Sequence, residues 1–375
     1  MSRELYGIAA LAIVCILISP YYNARPSMAS PMPVASPEPI ASPVPESKYI
    51  QTKYSKKIIL LSDSFLPTTF AGSELSGYET IKYLRTRGHE ISIFVKEWEV
   101  KEYDGFKIHK YDDGDAFCQE ELQTCDIIFY QMSDDPKHLD IIKHRKNPVY
   151  VFVHVVDSYT WLLQQKVSFP ISVIYNSHMT QDTIPTLHDN MRMIPYVDTN
   201  KFKSIREKTI QNNVVCLINC NKNKGGELFK ELAHKMPNVQ FLGVRGGYSA
   251  QLIDSDGPKN LTYMENQKDI TVVFKKIGIL VMPSKKETWG RTAVEAMSAG
   301  VPVIHSEAPG LVECVGGAGI MCVHDDADAW VDAINRLIND RAYRERIRQY
   351  GFKRISEIEH EQIRGRQELA YKIEV

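Results

Sequence analysis

The chain has 375 residues, 43% of them hydrophobic and 24% charged, with a formal net charge of −1. That is a globular composition with room for two domains of ordinary size. The near-neutral balance has no long basic run, which leaves no electrostatic footprint for a nucleic-acid partner.

Residues 1–24 form the first segment. No charge falls between Leu5 and Ala24, and the stretch LYGIAALAIVCILIS is almost wholly apolar. Such a length is at the lower limit for a bilayer-spanning helix, and it predicts an uncleaved single-pass anchor. A cleaved signal peptide is the rival reading, because Ser27-Met28-Ala29 offers small residues for cleavage. Arg3 and Arg25 flank the segment almost evenly, so the positive-inside count does not orient it. Residues 25–55 follow as a Pro/Ser/Ala tract, ARPSMASPMPVASPEPIASPVPES, which cannot build a core and reads as an extended stalk.

The body opens at KKIILLSD (56–63), a short apolar run of the kind a buried parallel strand shows. The loop SFLPTTFAGS follows. Next comes a helix over ELSGYETIKYLRTRGHE that Gly88 stops. EISIFV is a strand, and two short strands flank the turn at Asp104-Gly105. CDIIFYQM, NPVYVFVHV and ISVIYNS are further strands, and MRMIPYVD closes the set near Asp198. The pattern then restarts. NNVVCLIN, NVQFLGV, GILVMPS, VPVIHS and GIMCV read as strands, with helices at GGELFKELAHKM, DITVVFKKI and TAVEAMSA, and a long helical end. Strands alternating with helices twice over predict two doubly wound, Rossmann-like α/β domains, residues 56–199 and 200–355, with 356–375 a terminal helix. Ligands of such sheets bind beyond the carboxyl ends of the strands, in the cleft between the two domains. The seven cysteines include no CxxC pair. Cys216 and Cys220 have no neighbour to complete a zinc site, so they read as buried strand residues.

The second half carries the chemistry. GILVMPS leads through KKETWGR into TAVEAMSA, and Gly300 and Pro302 end that helix. Backbone N–H groups of Gly290, Arg291 and Thr292 would meet an anion at the helix start. The plainer reading is a capping box with Thr292 as N-cap and Glu295 reaching back. Lys224-Gly225-Gly226 opens another helix after a strand, a second anion pocket with a point charge. Two such pockets suit a diphosphate. Glu295 could then hold a ribose diol and Glu287 a sugar hydroxyl.

The run PSKKETWGRTAVEAMSAGVPVIHSEAPGLVECVGGAG, with the Gly72 loop, RGHEISIFV, VIYNS, IPYVDTNKF and NKNKGGELF, resembles the Glu-x7-Glu signature and ordered motifs of retaining GT-B glycosyltransferases of the large family numbered four. The resemblance spans most of residues 56–355. It implies that Glu295 binds the nucleotide ribose, that Glu287 faces the donor sugar, and that Lys224 meets the diphosphate. Gly290, Arg291 and Thr292 fall where backbone amides meet phosphate. Gly72 matches the glycine loop near donor and acceptor, and His154 a histidine near the reacting sugar. Met264 and Glu265 fall where backbone groups read the base. The pattern departs at Asn219, where the family has an arginine, and Arg291 or Arg245 is the expected substitute. The final helix would cross back to the first domain.

The resemblance implies transfer of a hexose, with retention, from a nucleotide diphosphate sugar, UDP- or GDP-linked, to a glycan, lipid or protein-linked acceptor. No cofactor is expected. A nucleotide-sugar epimerase of the same fold and an inactive nucleotide-sugar-binding module are the alternatives. Asp-x-Asp patterns at Asp113, Asp254 and Asp326 are read as loop acids, and no metal requirement is expected. Asn260-Leu-Thr262 is a glycosylation sequon that falls in the expected base-reading region, which mildly favours a body facing the cytosol. Acids interleave with Arg341, Arg344, Arg346, Arg348, Lys353 and Arg354 at the helical end, so these read as a solvated face rather than a lipid-binding one.

Overall fold

The computed structural model describes residues 55–112, 114–131, 145–156, 160–164, 166–209, 211–253 and 256–375. The anchor and stalk expected over residues 1–54 lie outside the described residues, as do Asp113, Asp254 and Cys15. Among the described residues no helix is long and apolar enough to cross a membrane.

The first lobe is built on an eight-stranded sheet. Its strands are β1 (Lys57–Ser62), β2 (Glu90–Val95), β3 (Glu102–Tyr103), β4 (Phe106–Lys110), β5 (Ile127–Gln131), β6 (Val149–Val153), β7 (Ile171–Tyr175) and β8 (Asp189–Arg192), in the order β3-β4-β2-β1-β5-β6-β7-β8. All pairs are parallel except β3–β4, which closes as a hairpin. Asp104 and Gly105 both take positive φ at its turn, as a two-residue hairpin loop demands. β1, β5 and β6 are almost wholly buried because helices cover both faces of the sheet.

The second lobe has six parallel strands: β9 (Val215–Ile218), β10 (Phe241–Val244), β11 (Leu261–Met264), β12 (Ile279–Met282), β13 (Val303–His305) and β14 (Ile320–Met321). Their order, β11-β10-β9-β12-β13-β14, is that of dinucleotide-binding doubly wound sheets. The chain reverses its direction of growth between β9 and β12, and the loops leaving those two strands splay apart into a crevice.

Helices α1 (Gly72–Thr86), α2 (Ala116–Thr124) and α3 (His178–Thr183) belong to the first lobe. Helices α4 (Gly226–Lys235), α5 (Arg291–Ser298), α6 (Pro309–Val315) and α7 (Ala327–Asn339) belong to the second. The last helix, α8 (Arg341–Glu374), runs 34 residues without a break. It starts against α5 and α7 and ends against α1. Leu369 and Ile373 enter the first lobe's core, while Ile355 and Ile358 belong to the second lobe's. Arg87 forks onto Glu374 with bonds of 2.5 and 2.6 Å, and Arg366 stacks 3.3 Å over the Tyr196 ring.

Two sequence expectations need correction here. The basic residues of α8 do not share a solvated face. Arg344 is buried, and its guanidinium donates to Asn213 Oδ1 at 2.7 Å, to the Gly278 carbonyl at 2.9 Å, to the Thr209 carbonyl at 3.2 Å and to the Asn212 carbonyl. Arg348 reaches the Gly300 carbonyl at 2.8 Å and Arg354 the Cys314 carbonyl at 3.0 Å. These arginines complete loop ends that the second lobe leaves without acceptors' partners. The sequon is also misplaced. Asn260 lies at the start of β11, at the opposite end of that strand from the cleft. Its Nδ2 donates to three carbonyls, those of Ala233, Met236 and Val239. The six described cysteines are buried and form no disulfide, but only Cys216 lies in a strand; Cys220 follows that strand, and Cys118 and Cys314 are in helices.

Candidate functional site

A cleft of about 820 Å³ lies between the lobes at the carboxyl ends of both sheets. Its floor is set by the two loops at the switch point of the second sheet. After β9 the chain enters the left-handed region at Asn219, with φ 70°, and turns through a single 3₁₀ turn, Lys222–Lys224. Asn221 caps that turn by accepting from the Lys224 N–H at 2.9 Å. Gly225 takes φ 85°, and a Cβ there would collide with the Pro283 carbonyl. Only glycine allows the two loops to pack this closely. The Lys285 N–H then donates to the Asn223 carbonyl at 2.9 Å, zipping one loop to the other. The outcome is an ion pair between Lys224 Nζ and Glu287, with Ser284 Oγ donating to the same carboxylate oxygen at 3.4 Å. Burial opposes the Lys224 charge, but Glu287 and the Tyr248 hydroxyl beside it outweigh that and raise its pKa.

Helix α5 begins beyond this loop. Gly290 is its N-cap and no side chain caps it. The Gly290 carbonyl takes the N–H groups of Ala293 and Val294, at 2.9 and 3.1 Å. The Arg291 and Thr292 amides are therefore left at the helix start without intrahelical acceptors, at the positive end of the dipole. The capping box expected at Thr292 does not form, because the helix starts two residues earlier, with Gly290 as its N-cap. Glu295 instead accepts from Arg291 Nε at 3.2 Å, while Arg291 Nη1 donates to the Tyr196 carbonyl at 2.6 Å. Burial raises the Glu295 pKa, and Arg291 and Lys201 act against it.

The first lobe supplies the opposite wall. Gly72 opens α1 with nothing within 4 Å of a Cβ, so the loop presents bare backbone to the cleft. His154 follows β6 and stacks on Phe152. Its Nε2 lies 3.2 Å from Gln131 Oε1, an oxygen that can only accept, so this nitrogen carries the proton and Nδ1 is the acceptor. Burial drives its pKa down to about 4. The His154 carbonyl accepts from Thr288 Oγ1 at 2.6 Å and from Asn176 Nδ2 at 3.3 Å, and Asn176 also donates to Thr288 at 3.1 Å. Glu313 of α6 caps the start of α3 across the same junction, accepting from the His178 and Met179 amides at 2.7 and 2.9 Å.

The structure thus brings Gly72, His154, Asn219, Lys224, Arg245, Glu287, Arg291, Thr292 and Glu295 onto one cleft. Gly290 sits behind it, against Leu311 and Cys314. Met264 ends β11 and Glu265 follows it, and neither is among the residues lining the cleft. The Met264 carbonyl is taken by the Arg245 N–H at 2.9 Å, and Glu265 pairs with Arg245 at the surface. Sequence reading missed Thr288, Asn176 and Glu313 as residues in their own right. All three stand inside motifs it did single out, Asn176 in VIYNS and Thr288 and Glu313 in the run that begins PSKKETWGR. The basic groups lining the cleft, Lys201, Lys224, Arg245, Lys268, Lys286 and Arg291, all come from the second lobe's side, which also supplies Glu287 and Glu295, while the first lobe contributes the acids Asp63, Glu74 and Glu97. Among the described residues no cluster of three or more His, Cys, Asp or Glu is arranged to hold a metal ion. Asp326 caps α7 through the Ala329 amide, and Asp328 pairs with Lys235.

Two doubly wound lobes facing one cleft are the GT-B glycosyltransferase fold. Anabaena Alr3699/HepE in complex with UDP-glucose superposes with a TM-score of 0.68 at 18% identity, covering 84% of this chain and 100% of that one. TarM superposes with a TM-score of 0.69 at 11% identity, covering 86% and 99%. Residues 197–354, most of the second lobe, match the family model of glycosyl transferases group 1. D-inositol 3-phosphate glycosyltransferase of Mycobacterium marinum (strain ATCC BAA-535 / M) is 30% identical over 134 residues, 32% of this chain and 28% of that protein. Capsular polysaccharide biosynthesis glycosyltransferase CapM of Staphylococcus aureus is 28% identical over 173 residues, 42% of this chain and 46% of that protein. The matched stretches therefore span less than half the length of these curated relatives.

Proposed function

We propose that this chain is a retaining glycosyltransferase that moves a hexose from a nucleotide diphosphate sugar to a hydroxyl of a glycan, lipid or protein-linked acceptor. The observation that carries the reading is the placement of Lys224 beside Glu287 at the switch point of the second sheet, next to the uncapped start of α5. Lys224 and the α5 amides face the departing diphosphate. Glu287 holds a donor-sugar hydroxyl, and Glu295 takes the ribose diol. Neutral His154 accepts from a sugar hydroxyl through Nδ1. The bond from the anomeric carbon to the phosphate oxygen breaks, and the acceptor oxygen bonds to that carbon on the same face. The acceptor's proton leaves with the diphosphate. Preorganised cationic groups stabilise the leaving charge without reorganising, so activity should survive a chelator. The carboxylates of the first lobe suit an acceptor rich in hydroxyl groups.

Family resemblance admits a UDP- or a GDP-hexose donor, and the UDP-glucose bound by Alr3699/HepE makes the UDP-hexose the first to try. Residues 1–24 serve in this reading as a membrane tether, which alkaline extraction of membranes would test. The activity is tested by incubating the protein with UDP- and GDP-hexoses and measuring free nucleotide with and without hydroxyl acceptors. Acceptor-dependent nucleotide release is expected. Conversion of donor without acceptor would mark an epimerase, and binding without turnover an inert module.

A further inference from the structure

Asn219 stands where the resemblance places an arginine, and the structure gives it different work. Its Oδ1 accepts from Asn221 Nδ2 and from Gln251 Nε2, both at 2.9 Å. Its amide presses on Gly246, where any Cβ would collide with it. Asn219 therefore holds the turn after β10 rather than a ligand charge. Gln251 completes the weave. Its Oε1 accepts from the Gly246 N–H at 2.9 Å, and its Nε2 donates to the carbonyls of Tyr248 and Ser249 at 3.0 and 3.1 Å. Asn221 and Gln251 also pair as an isolated antiparallel bridge. On the other side of the turn, a Cβ on Gly247 would sit 3.0 Å from the Phe70 carbonyl of the first lobe. The turn is thus fixed from both lobes.

Tyr248 stands at the crest of this turn. It lines the cleft and is 46% exposed, large for an aromatic residue in a built segment. Its hydroxyl faces the Lys224 ammonium across the same cleft and helps hold it charged. An ammonium can only donate, so beside it the phenol turns its oxygen toward the lysine and keeps its own proton for an acceptor in the cleft. A hydroxyl polarised by a cation is a strong donor, and an anionic oxygen held by the same lysine is its natural acceptor. The two arginines offered as substitutes for the missing one are engaged elsewhere: Arg245 with Glu265 at 2.9 Å, and Arg291 with Glu295 and the Tyr196 carbonyl.

Resting on the donor reading above, we propose that Tyr248 is a donor-binding residue whose hydroxyl donates to a phosphoryl oxygen of the nucleoside diphosphate group held by Lys224, with Asn219 and Gln251 positioning it. A neutral donor stands in for the cationic one that the resemblance implies, and Asn219 is part of its support.

The test is calorimetric titration of the full chain with UDP, UMP, GDP and GMP. Wild type binds at least one diphosphate more tightly than the matching monophosphate. If it binds neither diphosphate, the donor reading itself falls, and this proposal with it. Tyr248→Phe weakens the diphosphate about tenfold, the loss expected for a hydrogen bond to a charged group, and leaves the monophosphate within about twofold. Asn219→Ala weakens the diphosphate in the same direction in wild type and adds nothing in the Tyr248→Phe background. Wild-type diphosphate affinity in Tyr248→Phe would overturn the proposal while leaving the donor reading intact. An equal loss for the monophosphate would also overturn it, because that is the signature of a ring stacked on the base. Additive losses in the double variant would remove the positioning role.

Discussion

Thr288 Oγ1 donates to the His154 carbonyl at 2.6 Å, and this one bond joins the residue after Glu287 to the backbone of the histidine on the opposite lobe. Asn176 donates to both ends of that bond, so the junction is a three-membered node. Each proposed sugar-facing side chain is therefore located by reference to the other.

Thr288→Val keeps the shape and removes the donor. We expect a loss of about 1 kcal/mol in stability, the usual worth of one hydrogen bond, and a drop in kcat/KM of roughly fivefold through misplacement of the Glu287 loop. Thr288→Ser should restore both. A valine variant matching wild type in turnover and in urea midpoint would show that the node carries nothing.

Lys224→Met and Glu287→Gln should each lower turnover by about a hundredfold or more, in line with the removal of single charge-stabilising groups. Their stability effects distinguish pair from site. Lys224→Met leaves a half-buried carboxylate alone and should cost about 3 kcal/mol. The double variant should recover most of that stability and none of the activity. Parallel recovery of activity would mean that the pair acts only as a scaffold.

The low pKa of His154 gives a pH dependence with a definite sign. The folded value of about 4 lies below the ordinary histidine value of 6.5 from which burial has moved it. The unfolded chain takes up the proton first, so the neutral histidine's contribution is complete above about pH 6.5 and declines as pH falls toward 4. At pH 5.5 the decline is about 1 kcal/mol. Unfolding midpoints at pH 7.5 and 5.5 should differ by that much more in wild type than in His154→Gln. Equal differences would refute a buried neutral ring.

Arg344→Ala should be among the most destabilising single changes on α8. It removes a buried guanidinium and strands the carbonyls it serves, at a cost of about 3 kcal/mol. Arg341→Ala and Lys353→Ala, both exposed, should stay within about 0.5 kcal/mol of wild type. A urea series on the three variants reads this directly.

The strand–helix alternation was legible because it follows from a local pattern, whereas the ion pair of Lys224 with Glu287 follows from strand order. Parallel strands β9 and β12 are neighbours, so loops 63 residues apart in sequence must meet. The details that escaped depend on direction rather than pattern. An arginine flanked by acids reads alike whether it faces water or, as Arg344 does, four backbone and side-chain oxygens. Thr292 has the composition of a cap, yet the Gly290 carbonyl had already taken the first helical amides. Asn260 lies four residues from Met264, but a strand carries them to opposite ends of the sheet. Asn176 and Thr288 lie 112 residues apart on different lobes, and no spacing rule joins a single hydroxyl to a single amide over that distance.

The long helix α8 has a consequence for how the protein is made. Domains ordinarily fold as units while the chain emerges from the ribosome. Here the first lobe's interior includes Leu369 and Ile373, and its surface closes through the Arg87–Glu374 pair, 287 residues apart. That lobe cannot finish its core before translation has delivered the end of α8, so the half synthesised first matures last.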